Sequence, residues 1–208
     1  MTAPIRLLLA DDHFVVRMGL AASLRLEPDF EVIGEASNGV EAIDAWKDAR
    51  PDVLILDWRL PDLTGAEVVA AIRALDPAAH ILLLSAFSSE EDVFRAVQAG
   101  AASYLLKNAP RAEIVQAIRT LHGGGSYFPA DIASVLALRL QREPLTPREL
   151  DVLKAIVHGS SNKEIGESLH VTEAAVKMHV THLLQKLNAK DRTQAATAAI
   201  RRGIVHLE

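Results

Sequence analysis

Residues 52–57, Asp-Val-Leu-Ile-Leu-Asp, decide the fold. Successive strand residues point to opposite faces, so an unbroken apolar run suits a strand buried on both. Four further runs share this character: IRLLLA (5–10), EVIGEA (31–36), HILLLSA (80–86) and ASYLLK (102–107). Between the runs lie segments of helical period at 15–26, 39–49, 65–75, 89–99 and 110–122. In the first segment Val15, Val16, Leu20 and Leu24, with Met18 beside them, mark an inner face. Asn38 and Ser88 or Ser89 suit helix N-caps, Gly100 suits a helix end, and Pro110 suits a first turn. Five strand–helix repeats in this length imply a five-stranded, doubly wound parallel sheet of flavodoxin-like type.

After residue 122 the pattern changes. GGGSYF (123–128) reads as a hinge, and 130–142 as a short amphipathic linker helix. From Leu145 the period is purely helical, with helices expected near 147–158, 162–169, 173–187 and 193–202. The expected organisation is an α/β domain over 1–122, a linker over 123–144 and an all-α domain over 145–208. Charge divides along the same line. The chain carries −5 overall, but residues 145–208 hold nine Lys and Arg against seven Asp and Glu, leaving −7 on the rest. An acidic front and a mildly basic back suggest different partners.

There are no cysteines, which excludes disulfides, thiolate metal sites and cysteine nucleophiles. The N-terminal apolar run meets two aspartates at once, and no stretch is long enough to span a bilayer. The expectation is a cytoplasmic protein with no membrane contact.

In an open parallel sheet, functional residues gather at the carboxyl ends of the strands. Those ends carry Asp11 and Asp12 after the first strand, Asp57 after the third, Ser85 after the fourth and Lys107 after the fifth. Each residue alone is uninformative, since a strand-end aspartate is usually a cap and a lone lysine a solvated charge. Together, three carboxylates at one sheet edge repel one another and want a cation. All-oxygen donors suit Mg²⁺. A carboxylate beside such an ion can attack phosphorus, while a lysine and a hydroxyl hold the phosphoryl oxygens. His13, His80 and His122 are too scattered to read as a metal site. GGG at 123–125 lacks the Lys-Ser/Thr of a phosphate loop, and Trp46 reads as packing.

The segments LLLADDH, DVLILDWRLPDLTG, LLLSAF and GAASYLLK resemble the receiver domain of two-component signalling. The resemblance implies that Asp57 is the phosphoacceptor and that Asp11, Asp12, Asp57 and the backbone carbonyl of Arg59 hold Mg²⁺. It also implies that Ser85 and Lys107 bind the phosphoryl group, and that Tyr104 is a switch whose ring turns inward as the Ser85 hydroxyl moves toward that group. Arg59 and Phe87 would flank the phosphoryl group and slow its hydrolysis. A sensor histidine kinase would be the donor. A Mg²⁺-dependent phosphohydrolase typically has a second carboxylate two residues after its nucleophile; here that residue is Arg59. The chain is therefore not expected to act as an enzyme beyond its own phosphoryl transfer and dephosphorylation.

In the C-terminal part, NKEIGESL, a turn at HV, and TEAAVKMHVTHLLQKL read as a helix-turn-helix. Ile165, Leu169, Val171, Val176, Val180, Leu183, Leu184 and Leu187 have the spacing that packs one helix across the other. Leu145-Thr146-Pro147-Arg148-Glu149, Asn162-Lys163-Glu164-Ile165, Val171-Thr172 and Val176-Lys177-x-His179 resemble the DNA-binding domain of NarL/FixJ (LuxR-type) regulators. The resemblance implies sequence-specific binding of double-stranded DNA, with Lys177, Met178 and Thr181 facing bases and Lys163, His182 and Lys186 near phosphates. It also implies a homodimer on phosphorylation, formed through the last helix at Ala195, Ala196, Ala199 and Ile200.

Overall fold

The computed structural model describes residues 3–206, so residues 1–2 and 207–208 of the two expected domain ranges lie outside the described residues. The chain divides into two compact units, one of residues up to Val135 without 89–92 and one of the remainder. In chain order the elements of the α/β part are β1 (Ile5–Ala10), α1 (Phe14–Leu24), β2 (Phe30–Ala36), α2 (Gly39–Ala49), β3 (Val53–Asp57), α3 (Gly65–Leu75), β4 (Ile81–Ser85), α4 (Glu90–Gln98), β5 (Ser103–Leu106) and α5 (Arg111–His122). The strands are parallel in the order β2-β1-β3-β4-β5. That is the doubly wound arrangement, with the order reversing between β1 and β3.

Every residue of β3 and β4 is buried, as their unbroken apolar runs demand. Leu7, Leu9, Val53, Ile55, Leu82, Leu84 and Leu105 turn one way, onto Ala21 and Leu24 of α1 and Ile114, Val115, Ile118 and Leu121 of α5. Edge strand β2 is only partly buried, and its pairing skips Ile33 between Leu7 and Leu8. Trp46 of α2 is buried as a packing residue.

Helix α1 departs from expectation. Its core face is Ala21 and Leu24, whereas Val15 is 72% and Met18 51% exposed, with Val16 also outside. Apolar character misled the reading: alanine fills the inner stripe and larger side chains stand in solvent. Asn38 caps α2 as expected, accepting from Glu41 N, and Gly100 takes φ +98° after α4. Pro110 is the N-cap of α5 rather than a first-turn residue. Tyr127, within the expected hinge, pairs with Ser103 beside β5, and its N–H donates to Ala102 O at 3.0 Å.

After α6 (Ala130–Leu140), the helical part contains α7 (Pro147–Val157), α8 (Asn162–Leu169), α9 (Glu173–Leu187) and α10 (Arg192–Arg201). Capping boxes start α7 at Thr146–Glu149 and α8 at Ser161–Glu164, each satisfying two otherwise orphaned amides. Its core gathers Val152, Leu153, Ile156, Ile165, Val176, Leu183 and Leu187, with Leu169, Val171, Val180 and Leu184 packed around them. Ala195 and Ala199 of α10 also point into this core. They are therefore not available as the dimer surface the resemblance implied; Ile200 is exposed.

The turn between α8 and α9 depends on one glycine. A Cβ on Gly166 would stand 2.8 Å from the Val171 carbonyl oxygen, a backbone atom fixed where Val171 N–H donates back to Gly166 O. Gly166→Ala gains helix propensity of about 1 kcal/mol. The forced contact is expected to outweigh that gain and destabilise the helical unit by about 1–3 kcal/mol net. Urea unfolding with amide exchange resolved to α8 and α9 measures it; unchanged protection there would refute the steric argument.

Candidate functional site

Strand register brings the expected side chains to one place. Ala10 pairs with Leu56, so Asp11 and Asp57 follow at the same level. Asp57 pairs with Leu84, and Ser85 with Leu106, so Ser85 and Lys107 come next along the same edge. Asp11 and Asp57 are buried, as is Ser85. The loop after β3 is held by Trp58 N donating to Leu84 O and Gly65 N to Trp58 O, both at 2.8 Å. A capping box at Thr64–Glu67 then starts α3. Asp62 ties the same loop to α2, accepting from Gly39 N at 2.7 Å and Val40 N at 2.9 Å.

The Lys107 ammonium lies 2.7 Å from Asp11 Oδ2 and 2.8 Å from Asp57 Oδ2. Burial raises the Asp57 pKa above the ordinary carboxylate value, Lys107 pulls it back, and the Asp11 charge adds to the rise. Burial lowers the lysine's own pKa, but its bonds to Asp11 and Asp57 overcome this and leave it raised. Asp57 Oδ1 accepts from Arg59 N at 3.3 Å, which puts the Arg59 backbone against the acceptor. The Arg59 guanidinium stands 5.9 Å from the centre of the Phe87 ring.

Asp11, Asp12, His13 and Asp57 offer ligand atoms that all lie within 4.8 Å of one another. Three carboxylate oxygens so close, partly desolvated, fit a small divalent cation, and oxygen donors suit Mg²⁺. His13, which the sequence reading compared only with other histidines, falls within this group. Its neighbours here are aspartates, which the consecutive Asp11-Asp12-His13 could have signalled.

Ser85 and Tyr104 meet through Phe87. Phe87 N donates to Ser85 Oγ at 3.2 Å, and its carbonyl accepts from the Tyr104 hydroxyl at 2.8 Å. Tyr104 is fully buried, its ring edge-on to Trp58 at 6.1 Å. The ring thus already holds the inward position that the resemblance reserved for the switched state.

In the helical unit, His170 ends α8 with φ +54°, and Thr172 caps α9 by accepting from Ala175 N at 3.2 Å. Lys177, Met178, Thr181 and His182 are all exposed on α9, and Lys163 on α8. Lys177 pairs with Glu173 at 3.0 Å. The Thr181 hydroxyl donates to Lys177 O at 3.0 Å. Lys186 is placed differently: its ammonium is held by buried Glu149 and by Glu143, each at 3.0 Å, and by Pro144 O at 3.1 Å. Burial pushes the Glu149 pKa up, but the Thr146 amide and Lys186 outweigh it and leave it lowered. Two arginines to which the sequence reading gave no bracing role hold the motif: Arg148 donates to Leu169 O at 2.9 Å, and Arg192 to Ser160 O and Asn162 Oδ1.

Two family models match the chain: the response regulator receiver domain over residues 7–119, and the luxR family of bacterial regulatory proteins over 143–199. The chain is 43% identical over 212 residues to the transcriptional regulatory protein LiaR of Bacillus subtilis (strain 168), covering 97% of this chain and 100% of that protein. It is 35% identical over 206 residues to the response regulator protein VraR of Staphylococcus aureus (strain NCTC 8325 / PS 47), covering 97% and 99%. Among solved structures, the response regulator ChrA of a heme-sensing two-component system is 33% identical, with a TM-score of 0.59 over 98% of this chain and 100% of that one. The response regulator RcsB in its DNA complex reaches 0.72 over 94% of this chain and 97% of that one at 21% identity, a likeness of fold alone. With the receiver residues at the strand ends, the helix-turn-helix later in the sequence and relatives matched along their whole length, this chain belongs to the LuxR-type response regulators of two-component signalling.

Proposed function

We propose that Asp57 accepts a phosphoryl group from a sensor histidine kinase, and that the phosphorylated chain forms a homodimer that binds double-stranded DNA sequence-specifically to control transcription in the cytoplasm. Residues 1–122 would receive the phosphoryl group, 123–144 link, and 145–208 bind DNA. Among the described residues no helix is long and apolar enough to cross a membrane. The observation that carries the reading is the buried Asp57 carboxylate joined to Lys107 and level with Asp11. The P–N bond of a phosphohistidine breaks, an Asp57 oxygen bonds phosphorus, and the histidine nitrogen keeps its electron pair. Mg²⁺, held by Asp11, Asp12, Asp57 and the Arg59 carbonyl, would supply neutralisation of phosphoryl charge. Lys107, already beside the acceptor, is placed to follow the charge onto a phosphoryl oxygen.

A Ser85 hydroxyl drawn to that group releases Phe87 N, and Phe87 also carries the Tyr104 contact. One residue thus joins both switch positions, although Tyr104 begins buried. Arg59 beside Phe87 crowds the approach of water. On the DNA side, Lys177, Met178 and Thr181 face bases, and Lys163 and His182 lie near phosphates. Thr181, its hydroxyl proton committed to Lys177 O, offers a methyl and an acceptor, which suits thymine or a cytosine amine. Lys186 serves Glu149 before any phosphate. One copy at about +2 grips a duplex weakly, so two copies on adjacent half-sites gain by effective concentration. Two RcsB dimers bound to two parallel DNAs are an instance of dimeric binding on this fold.

Incubation with labelled acetyl phosphate and Mg²⁺ tests the acceptor. Wild type is expected to label, Asp57→Asn not, and wild type to keep its label longer than Arg59→Asn. Equal labelling of Asp57→Asn would refute the assignment.

The raised Asp57 pKa has a sign. Both states are protonated well below the carboxylate range, so nothing is lost there. Above the folded-state pKa the ionised, buried group costs stability. Asp57→Asn is therefore expected to raise the thermal midpoint by a few degrees near pH 7, with the gain vanishing as pH falls through the carboxylate range. A gain independent of pH between 3.5 and 7 would contradict this.

Lys177→Ala and Lys186→Met should separate. Lys177→Ala is expected to cost about 1–3 kcal/mol of cognate DNA affinity without changing the melting midpoint. Lys186→Met should lower the midpoint at pH 7, and the loss should shrink as pH falls and Glu149 protonates. Titration on one operator, with melting scans of both variants, decides it; equal loss of stability would break the division of roles.

A further inference from the structure

We propose that His13 is an imidazole ligand of the acidic pocket, tuning it to bind first-row transition cations such as Co²⁺, Ni²⁺ or Zn²⁺. The proposal rests on reading that pocket as a cation site.

His13 is the N-cap residue of α1, where a side chain commonly turns back to its own helix amides. It makes no such bond. Its Nδ1 lies instead 2.7 Å from Asp12 Oδ1 and 3.6 Å from Asp11 Oδ1. The His13 main-chain amide turns the same way, donating to Asp11 Oδ1 at 2.8 Å. The imidazole is thus aimed at the carboxylates rather than along the helix.

The distances suit one ion. Donors on opposite sides of a cation with bonds of about 2.1 Å stand about 4.2 Å apart. The ligand atoms of Asp11, Asp12, His13 and Asp57 all fall within 4.8 Å of one another, so small side-chain rotations bring them onto a common centre. The His13 side chain is 68% exposed while Asp11 and Asp57 are buried. A hydrated ion can therefore meet the ring at the mouth and the carboxylates behind it.

Chemistry then sets the preference. Carboxylates accept Mg²⁺ and transition ions alike, but imidazole favours the transition ions. His13 adds affinity for one class without adding it for the other. The Asp12–His13 contact is replaced, when an ion binds, by two bonds to the same centre.

The test uses metal-stripped full-length protein titrated with Co²⁺ and, separately, Mg²⁺. It reads emission from Trp58, beside Asp57, and the paramagnetic shift of the His13 ring protons. Wild type is expected to shift those protons with Co²⁺. His13→Ala and His13→Gln should each weaken Co²⁺ tenfold to a hundredfold, a scale usual for groups tuning a metal site, and move the Mg²⁺ midpoint less than twofold. Co²⁺ affinity insensitive to both variants overturns the proposal. So does an equal loss for both ions, which would make His13 only a hydrogen-bond partner of Asp12, and so does full retention of Co²⁺ by His13→Gln. A wild type that answers to neither ion defeats the pocket reading itself.

Discussion

The ion pair from Lys107 to Asp57 and Asp11 is the constraint around which the receiver is arranged. Two buried carboxylates of like charge stand at adjacent strand ends, and a single ammonium within 2.8 Å of both holds them together. Like charges at this range oppose ionisation, and burial adds to the cost. The parallel sheet supplies the force that keeps them there, because β1, β3, β4 and β5 are locked in register by their apolar runs. The charges sit where the apolar packing stops, so core stability is converted into a pocket that gains by acquiring positive charge. The same electrostatic need would draw a cation to the pocket and, in the proposed reaction, would keep a phosphoryl group against Lys107.

The fold was legible because its driving term is the one a sequence displays best. Runs buried on both faces lack polar alternation, as DVLILD shows, and five strand runs in order, β2 at the edge among them, admit few topologies. The pocket was legible for a related reason: its residues sit one step past those runs, and strand register carried them to one edge. What failed was finer. Val15, Val16 and Met18 are apolar yet outside on α1, while Ala21 packs inside, because an alanine that fills a close helix–sheet contact contributes little to a hydrophobicity pattern. Ala195 and Ala199 show the converse on α10, small residues absorbed by their own core.

Polar placement was the hardest to foresee. Lys186 has the composition of a phosphate contact, yet it is claimed by Glu149, a capping-box residue 37 positions away whose burial leaves it in need of a cation. His13 was set aside for want of a histidine partner, yet its ring stands against its own neighbours Asp12 and Asp11 and near Asp57, 44 positions on. The Lys186–Glu149 pairing leaves no local pattern, whereas the consecutive Asp11-Asp12-His13 hints at the other. Both follow from which charges the fold desolvates, and that is decided only when strands and helices close on one another.

This ordering of constraints explains how the fold can vary its outputs while keeping its chemistry. Residues that the core fixes in place, Asp11, Asp57, Ser85 and Tyr104, are buried and have little freedom. Residues at the mouth and on the outer face of α9, among them His13, Lys177, Met178 and Thr181, are exposed and carry no part of the packing. Surface substitutions away from caps and buried pairs usually change stability little. The exposed positions of α9 can therefore change without disturbing the core beneath them, and under the proposed DNA reading base preference would change with them. Phe87 lies between the two groups: its side chain is exposed, but its backbone is bonded to Ser85 and Tyr104. A change of side chain there would alter the contact with Arg59 while the backbone link between Ser85 and Tyr104 persists.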